Sequence, residues 1–179
     1  MTASTPDRDV ARARALVEEA CRKSSMLWLR IESDQRTVAA WHVWSEGAAY
    51  VVSGGLEQDL PMLAEPANDR LVVTVRSKDT GGRLVTWVGS TSRVLPEDEE
   101  WGPIVAELHA KRLNSPDGEA QPARWARESV VTRIEPTGEL LESPGHLRAD
   151  SHAAEPVPSP ATTRGPLPFK VGRAPRRRR

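Results

Sequence analysis

Cysteine is nearly absent from this chain: Cys21 stands alone in 179 residues, so no internal disulfide can staple the fold. Long apolar runs are missing as well. None is long enough to cross a bilayer, and the N-terminal stretch MTASTPDRDVARAR has no apolar core of signal-peptide type, so the expectation is a soluble, cytoplasmic protein without a membrane partner. The sequence contains no HExxH and no CxxC, and its acidic clusters fall only at helix starts, so no metal is expected. GxGxxG, GxxxxGK[ST] and GxSxG are also absent, which removes dinucleotide-fold, P-loop and nucleophile-elbow enzymes. No repeat of solenoid period occurs. Cys21 falls on a helical stretch and reads as a small buried apolar residue rather than a reactive thiol.

What is present is unevenly distributed. The formal net charge is zero, yet residues 144–179 hold eight Lys/Arg against two acids, together with seven of the fifteen prolines and almost no large apolar side chains. Such a segment cannot bury enough surface to offset its ordering entropy, so residues 144–179 are expected to be a disordered basic tail behind one domain at 1–143. Arg176 to Arg179 could touch nucleic acid through counterion release. No folded basic face or interleaved aromatic residue accompanies them, which argues against a nucleic-acid partner.

The remaining sequence reads as a meandering antiparallel sheet. Residues 37–44 (TVAAWHVW) lead through Ser45-Glu46-Gly47 into 48–53 (AAYVVS), and residues 70–76 (RLVVTVR) lead through 77–82 (SKDTGG) into 83–95. Links this short join antiparallel neighbours. A first strand at 24–31 and a last strand at 129–135, closed by Pro136, bring the expected count to six. Helices are expected at 6–22, where Val10, Ala13, Val17, Ala20 and Cys21 recur at helical spacing, at 97–114, and over a short stretch at 122–127. The class is mainly β with α (α+β), with an N-terminal helix and a helical insertion before the last strand.

This order of elements, with Trp41-His42-Val43-Trp44, Ala49-Tyr50-Val51-Val52-Ser53, Leu60-Pro61-Met62-Leu63 and Leu71-Val72-Val73-Thr74-Val75-Arg76, resembles the split β-barrel of the pyridoxamine 5′-phosphate oxidase-like flavin and deazaflavin proteins. The resemblance covers residues 9–136. It implies a homodimer that binds FMN, or F420 as in actinobacterial branches, in a groove between subunits, and the Arg-rich, Lys-poor composition looks actinobacterial. Many FMN-binding relatives place a Ser and a Lys after the strand that here ends at Ser53, to hold the phosphate. This chain instead reads Ser53-Gly54-Gly55-Leu56-Glu57-Gln58-Asp59, with acids where a cation is wanted, so Ser53 is the cofactor-binding candidate that remains there.

Another anion anchor lies at Arg76, Ser77, Lys78 and Arg83, where cations, hydroxyls and glycines cluster within eight residues; the alternative is a solvated hairpin. Trp44 and Trp87, with Trp41, offer indole faces for an isoalloxazine ring or else fill core and interface positions. His42 reads as a hydrogen-bonded, partly buried side chain, and no residue is singled out as catalytic. Two functions follow: a flavin- or deazaflavin-binding split barrel acting as an oxidoreductase of unspecified substrate, or a cofactor-free split-barrel interaction module.

Overall fold

A computed structural model describes residues 5–33, 36–63 and 70–149. The expected tail lies, from residue 150 onward, outside the described residues. In chain order the elements are α1 (Thr5–Lys23), β1 (Met26–Ile31), β2 (Val38–Trp41), β3 (Val43–Ser45), β4 (Ala48–Ser53), β5 (Leu71–Arg76), β6 (Arg83–Val94), α2 (Trp101–Lys111), α3 (Gln121–Glu128) and β7 (Val130–Glu142). Among the described residues no helix is long and apolar enough to cross a membrane.

All strand pairs are antiparallel, in the order β2-β1-β5-β6-β7-β4-β3. The two ends of this order, β2 and β3, are consecutive in the chain and separated by His42 alone. The sheet therefore curls back toward itself as a split barrel. Its strand count is seven rather than the expected six, because residues 37–44 do not form one strand. Trp41 pairs with Met26 of β1, whereas Val43 pairs with Tyr50 of β4. Between them the His42 N–H donates to the Ser25 carbonyl at 3.3 Å, which changes the partner strand.

Two apolar cores result from the period-2 alternation of strands buried on both faces. On β4, Ala49 and Val51 join Leu27, Leu29, Val73, Trp87 and Ile134 beneath Val17 and Cys21 of α1. Ala48, Tyr50 and Val52 of the same strand face Ile104, Leu108 and Trp125 of the helical insertion. Leu27 and Leu29 are fully buried, and each such side chain contributes about 1.5–3 kcal/mol. Burial pushes the Cys21 thiol up to about 12, so it stays protonated and inert at neutral pH. Trp44 lies in the first core, and Trp41, on the opposite face, packs half-buried against the second.

The last strand also departs from expectation. Pro136 does not end β7, which runs on to Glu142. Pro136 sits opposite Gly89, at a register irregularity between β6 and β7 where the ladder does not need its missing N–H. At Gly89 the strands approach so closely that a Cβ would lie 2.8 Å from Ile134 Cγ2 and 3.1 Å from Trp87 Cζ3. The insertion is shorter than expected, with α2 spanning Trp101–Lys111 rather than 97–114. Residues 97–100 form a turn instead, in which Asp98 Oδ2 accepts the Leu95 N–H at 2.7 Å and the Asp98 carbonyl accepts the Trp101 N–H.

His42 couples this strand break to pH. Its Nε2–H donates to the Cys21 carbonyl near the end of α1 at 3.2 Å, while Nδ1 is buried without a partner. Burial, helped by the Lys111 charge, pulls its pKa from 6.5 down to about 4. The unfolded chain takes up this proton first, so the stabilisation is complete above pH 6.5 and is lost as pH falls toward 4. Urea melts across that interval should lose on the order of 3 kcal/mol through this residue, and a His42→Gln chain should lack that component.

Candidate functional site

One row of side chains crosses four strands on the face turned away from the first core. The register aligns Trp28 of β1 with Thr74 of β5, Thr74 with Thr86 of β6, and Thr86 with Glu142 of β7. Thr74 and Thr86 hydroxyl oxygens are 3.1 Å apart, and Thr86 donates to Glu142 Oε2 at 2.8 Å. The Glu142 side chain is only 4% exposed and is balanced by Arg83, whose Nε lies 3.1 Å from Oε2. Its other oxygen accepts the Arg148 N–H at 3.1 Å, and Arg83 Nη2 donates to the Arg148 carbonyl at 2.6 Å. At the opposite end of the row Arg76, two residues beyond Thr74 on the same face, stacks its guanidinium 5.1 Å from the Trp28 ring centroid. Trp28, Thr74 and Arg76 are half-buried, so this end of the row meets solvent.

The adjoining hairpin brings Arg76, Ser77, Lys78 and Arg83 together in space. Ser77 Oγ accepts the N–H groups of Asp79 and Thr80 at 3.2 and 3.3 Å, so its oxygen is engaged by its own turn. Gly81 has φ +69°, which suits the glycine there. Lys78 is exposed. Arg83 is the cation least available to a ligand, because Glu142 and the Arg148 carbonyl hold it.

The other sequence-derived candidates lie elsewhere. Trp87 is fully buried and Trp44 nearly so, both inside the first core, and their indole N–H groups have no acceptor among the described residues. Ser53 is buried on β4 opposite Val130. The aromatic face beside the hairpin belongs to Trp28 instead. Its signal in the sequence was its place between Leu27 and Leu29, which alternation puts on the outer face if the leucines point inward. Thr74 and Thr86 were legible only as strand residues, and Glu142 gave no signal because it lies beyond Pro136.

The acid of the 53–59 loop has a structural task. Glu57, with a side chain 1% exposed, accepts Arg112 Nε at 3.0 Å, Gln121 Nε2 at 3.1 Å and Trp125 Nε1 at 3.0 Å. Arg124 Nη2 lies 3.5 Å away and its Nε pairs with Asp117. The carboxylate thus ties the loop after β4 to the helical insertion. Gly55 makes this approach close enough that a Cβ would sit 2.9 Å from the Glu128 carbonyl oxygen. Asp59 is exposed.

Comparison with solved structures places this architecture. The heme storage protein HutZ from Vibrio cholerae superposes with a TM-score of 0.50 at 15% identity, covering 70% of this chain and 90% of that one. The split-barrel fold is thus shared with that protein. A Listeria innocua protein named after pyridoxamine 5′-phosphate oxidase matches the barrel at a TM-score of 0.46, with 18% identity over 72% of this chain and 97% of that chain. An FAD and heme binding protein from Mycobacterium smegmatis matches at 0.43, with 13% identity over 87% and 91%. Protein-family models give no match to the sequence, and neither do curated proteins. Within the split barrel, the Glu57 cluster is the feature most open to a stability test. Replacing Glu57 by Ala takes the buried carboxylate away from Arg112 and Arg124 and strands the buried Gln121 amide and Trp125 indole N–H. Denaturant unfolding should report a loss of about 3–5 kcal/mol.

Proposed function

We propose that this chain binds a flavin- or deazaflavin-class cofactor, FMN or F420, on the outer face of β1, β5, β6 and β7, and serves as an oxidoreductase of that cofactor class. The observation that carries this reading is the row from Trp28 to Glu142 with Arg76 stacked over the indole beside Lys78. Fold by itself selects no ligand, since one scaffold can host unrelated roles. The residues suit the group in chemical terms. Trp28 offers an apolar plane, Arg76 and Lys78 supply positive charge for an anionic side chain, and Thr74 offers a polar contact at the plane's edge. The bound cofactor would supply hydride or electron transfer. The protein would supply position, charge and shelter from water.

The half-buried, half-open state of Trp28, Thr74 and Arg76 supports a second proposal: a second copy of the chain completes the groove, making the working form a homodimer. The commitment of Arg83 to Glu142 favours the competing reading, a cofactor-free interaction module, because it removes one of three cations from the hairpin's anion-binding capacity.

Titration of the full chain with FMN and with F420, followed by cofactor fluorescence, separates the two readings. Saturable binding weakened about tenfold by Arg76→Ala or Lys78→Ala, and unchanged by Trp44→Phe, is the expected result. A flat titration with both cofactors would leave the interaction module as the better account. Light scattering on the same samples should return twice the chain mass.

A further inference from the structure

We infer that Thr74 is a specificity-determining acceptor, selecting planar ligands that present a ring N–H beside a carbonyl, the lactam or imide edge. This rests on the reading above, in which a flavin-class ring lies against the row. The argument is one of proton counting. Glu142 Oε2 accepts the Thr86 Oγ1 proton at 2.8 Å and is ion-paired with Arg83, whose Nε lies 3.1 Å away, and Oε1 accepts the Arg148 N–H at 3.1 Å. A carboxylate facing two hydrogen-bond donors and a guanidinium charge acts purely as acceptor, so the single Thr86 proton points to Glu142. Thr86 then has only lone pairs to offer Thr74, 3.1 Å away, and the Thr74 proton must point to Thr86.

The outward side of Thr74 is therefore left with lone pairs and no proton. Thr86 is 6% exposed and Glu142 4%, so water has little access to reverse the relay. Thr74 is the member of this relay that meets solvent. Next to it stand the flat Trp28 ring and the Arg76 guanidinium, which can only donate. An acceptor beside a cluster of donors complements a donor beside acceptors. A ring edge carrying only acceptors would oppose lone pair to lone pair at Thr74. The remote carboxylate thereby sets the hydrogen-bond sign of a surface hydroxyl two strands away.

The test compares FMN with its N3-methylated form on the full chain, by quenching of the ligand's own fluorescence. For the unmodified protein methylation should weaken binding about tenfold. Thr74→Val should bind both ligands alike, and Thr74→Ser should restore the preference. Thr86→Val is the decisive variant, since it returns the Thr74 proton to the ligand side: binding should persist while the preference collapses. Equal affinity of the unmodified protein for the two flavins overturns the role of Thr74 and leaves the cofactor reading standing. Binding of neither flavin overturns the role of Thr74, and the cofactor reading falls with it if F420 also fails to bind.

Discussion

The pairing of β6 with β7 through and beyond Pro136 is the constraint on which the candidate site depends. These two strands belong to both halves of the barrel: Ser90 to Val94 pair with Val131 to Glu135, while Thr86 and Trp87 pair with Glu142 and Leu140. The register shift falls beside the pair of Gly89 and Pro136, a residue without a side chain opposite one without an N–H. A side chain at Gly89 would collide with Ile134 and Trp87 and force the strands apart. Because the ladder resumes after this irregularity, Glu142 arrives opposite Thr86, and the row from Trp28 to Glu142 is complete. Had the strand ended at Pro136, Arg83 would face no carboxylate and the two threonines would lack a direction.

Two buried carboxylates organise the molecule, with opposite consequences. Glu57 is enclosed by two arginines, a glutamine amide and an indole N–H, and its hydrogen-bonding capacity is spent on joining the loop after β4 to the insertion. Such a group stabilises geometry but offers nothing to a ligand. Glu142 is equally buried, yet one of its contacts is a hydroxyl that contacts a second hydroxyl at the surface. Its influence reaches solvent without its charge doing so. A charge brought into contact with a phosphate would repel it, whereas a hydroxyl oriented by that charge only sets which partner is acceptable.

The hairpin at 77–82 shows how neighbouring groups divide labour. Ser77 and Thr80 spend their oxygens on backbone N–H groups of the turn, which holds its shape. Arg83 neutralises Glu142 and grips the carbonyl of Arg148, so it also fastens the segment that follows β7. Arg76 lies over an indole, where a guanidinium keeps its charge and most of its donors. Of the cations counted in the sequence, Arg76 and Lys78 are thus the ones positioned for an anion.

By itself the sequence determined the class of fold, because period-2 alternation, short Gly-containing turns and helical spacing in the first helix are local properties of consecutive residues. It also marked the cationic hairpin, since Arg76 to Arg83 are neighbours in the chain. Tertiary structure alone decided what those residues do. Whether Trp44 and Trp87 line a groove or fill a core depends on which face of a curled sheet is covered, and α1 covers theirs. The break at His42 depends on a change of partner strand between residues 25 and 50, which no local pattern encodes. Glu57 and Glu142 looked like ordinary acids because their side-chain partners lie 55 to 68 and 56 to 59 positions away, respectively. Contacts at that separation arise only on assembly: for Glu142 from the register of the sheet, and for Glu57 from the docking of the helical insertion on the loop after β4.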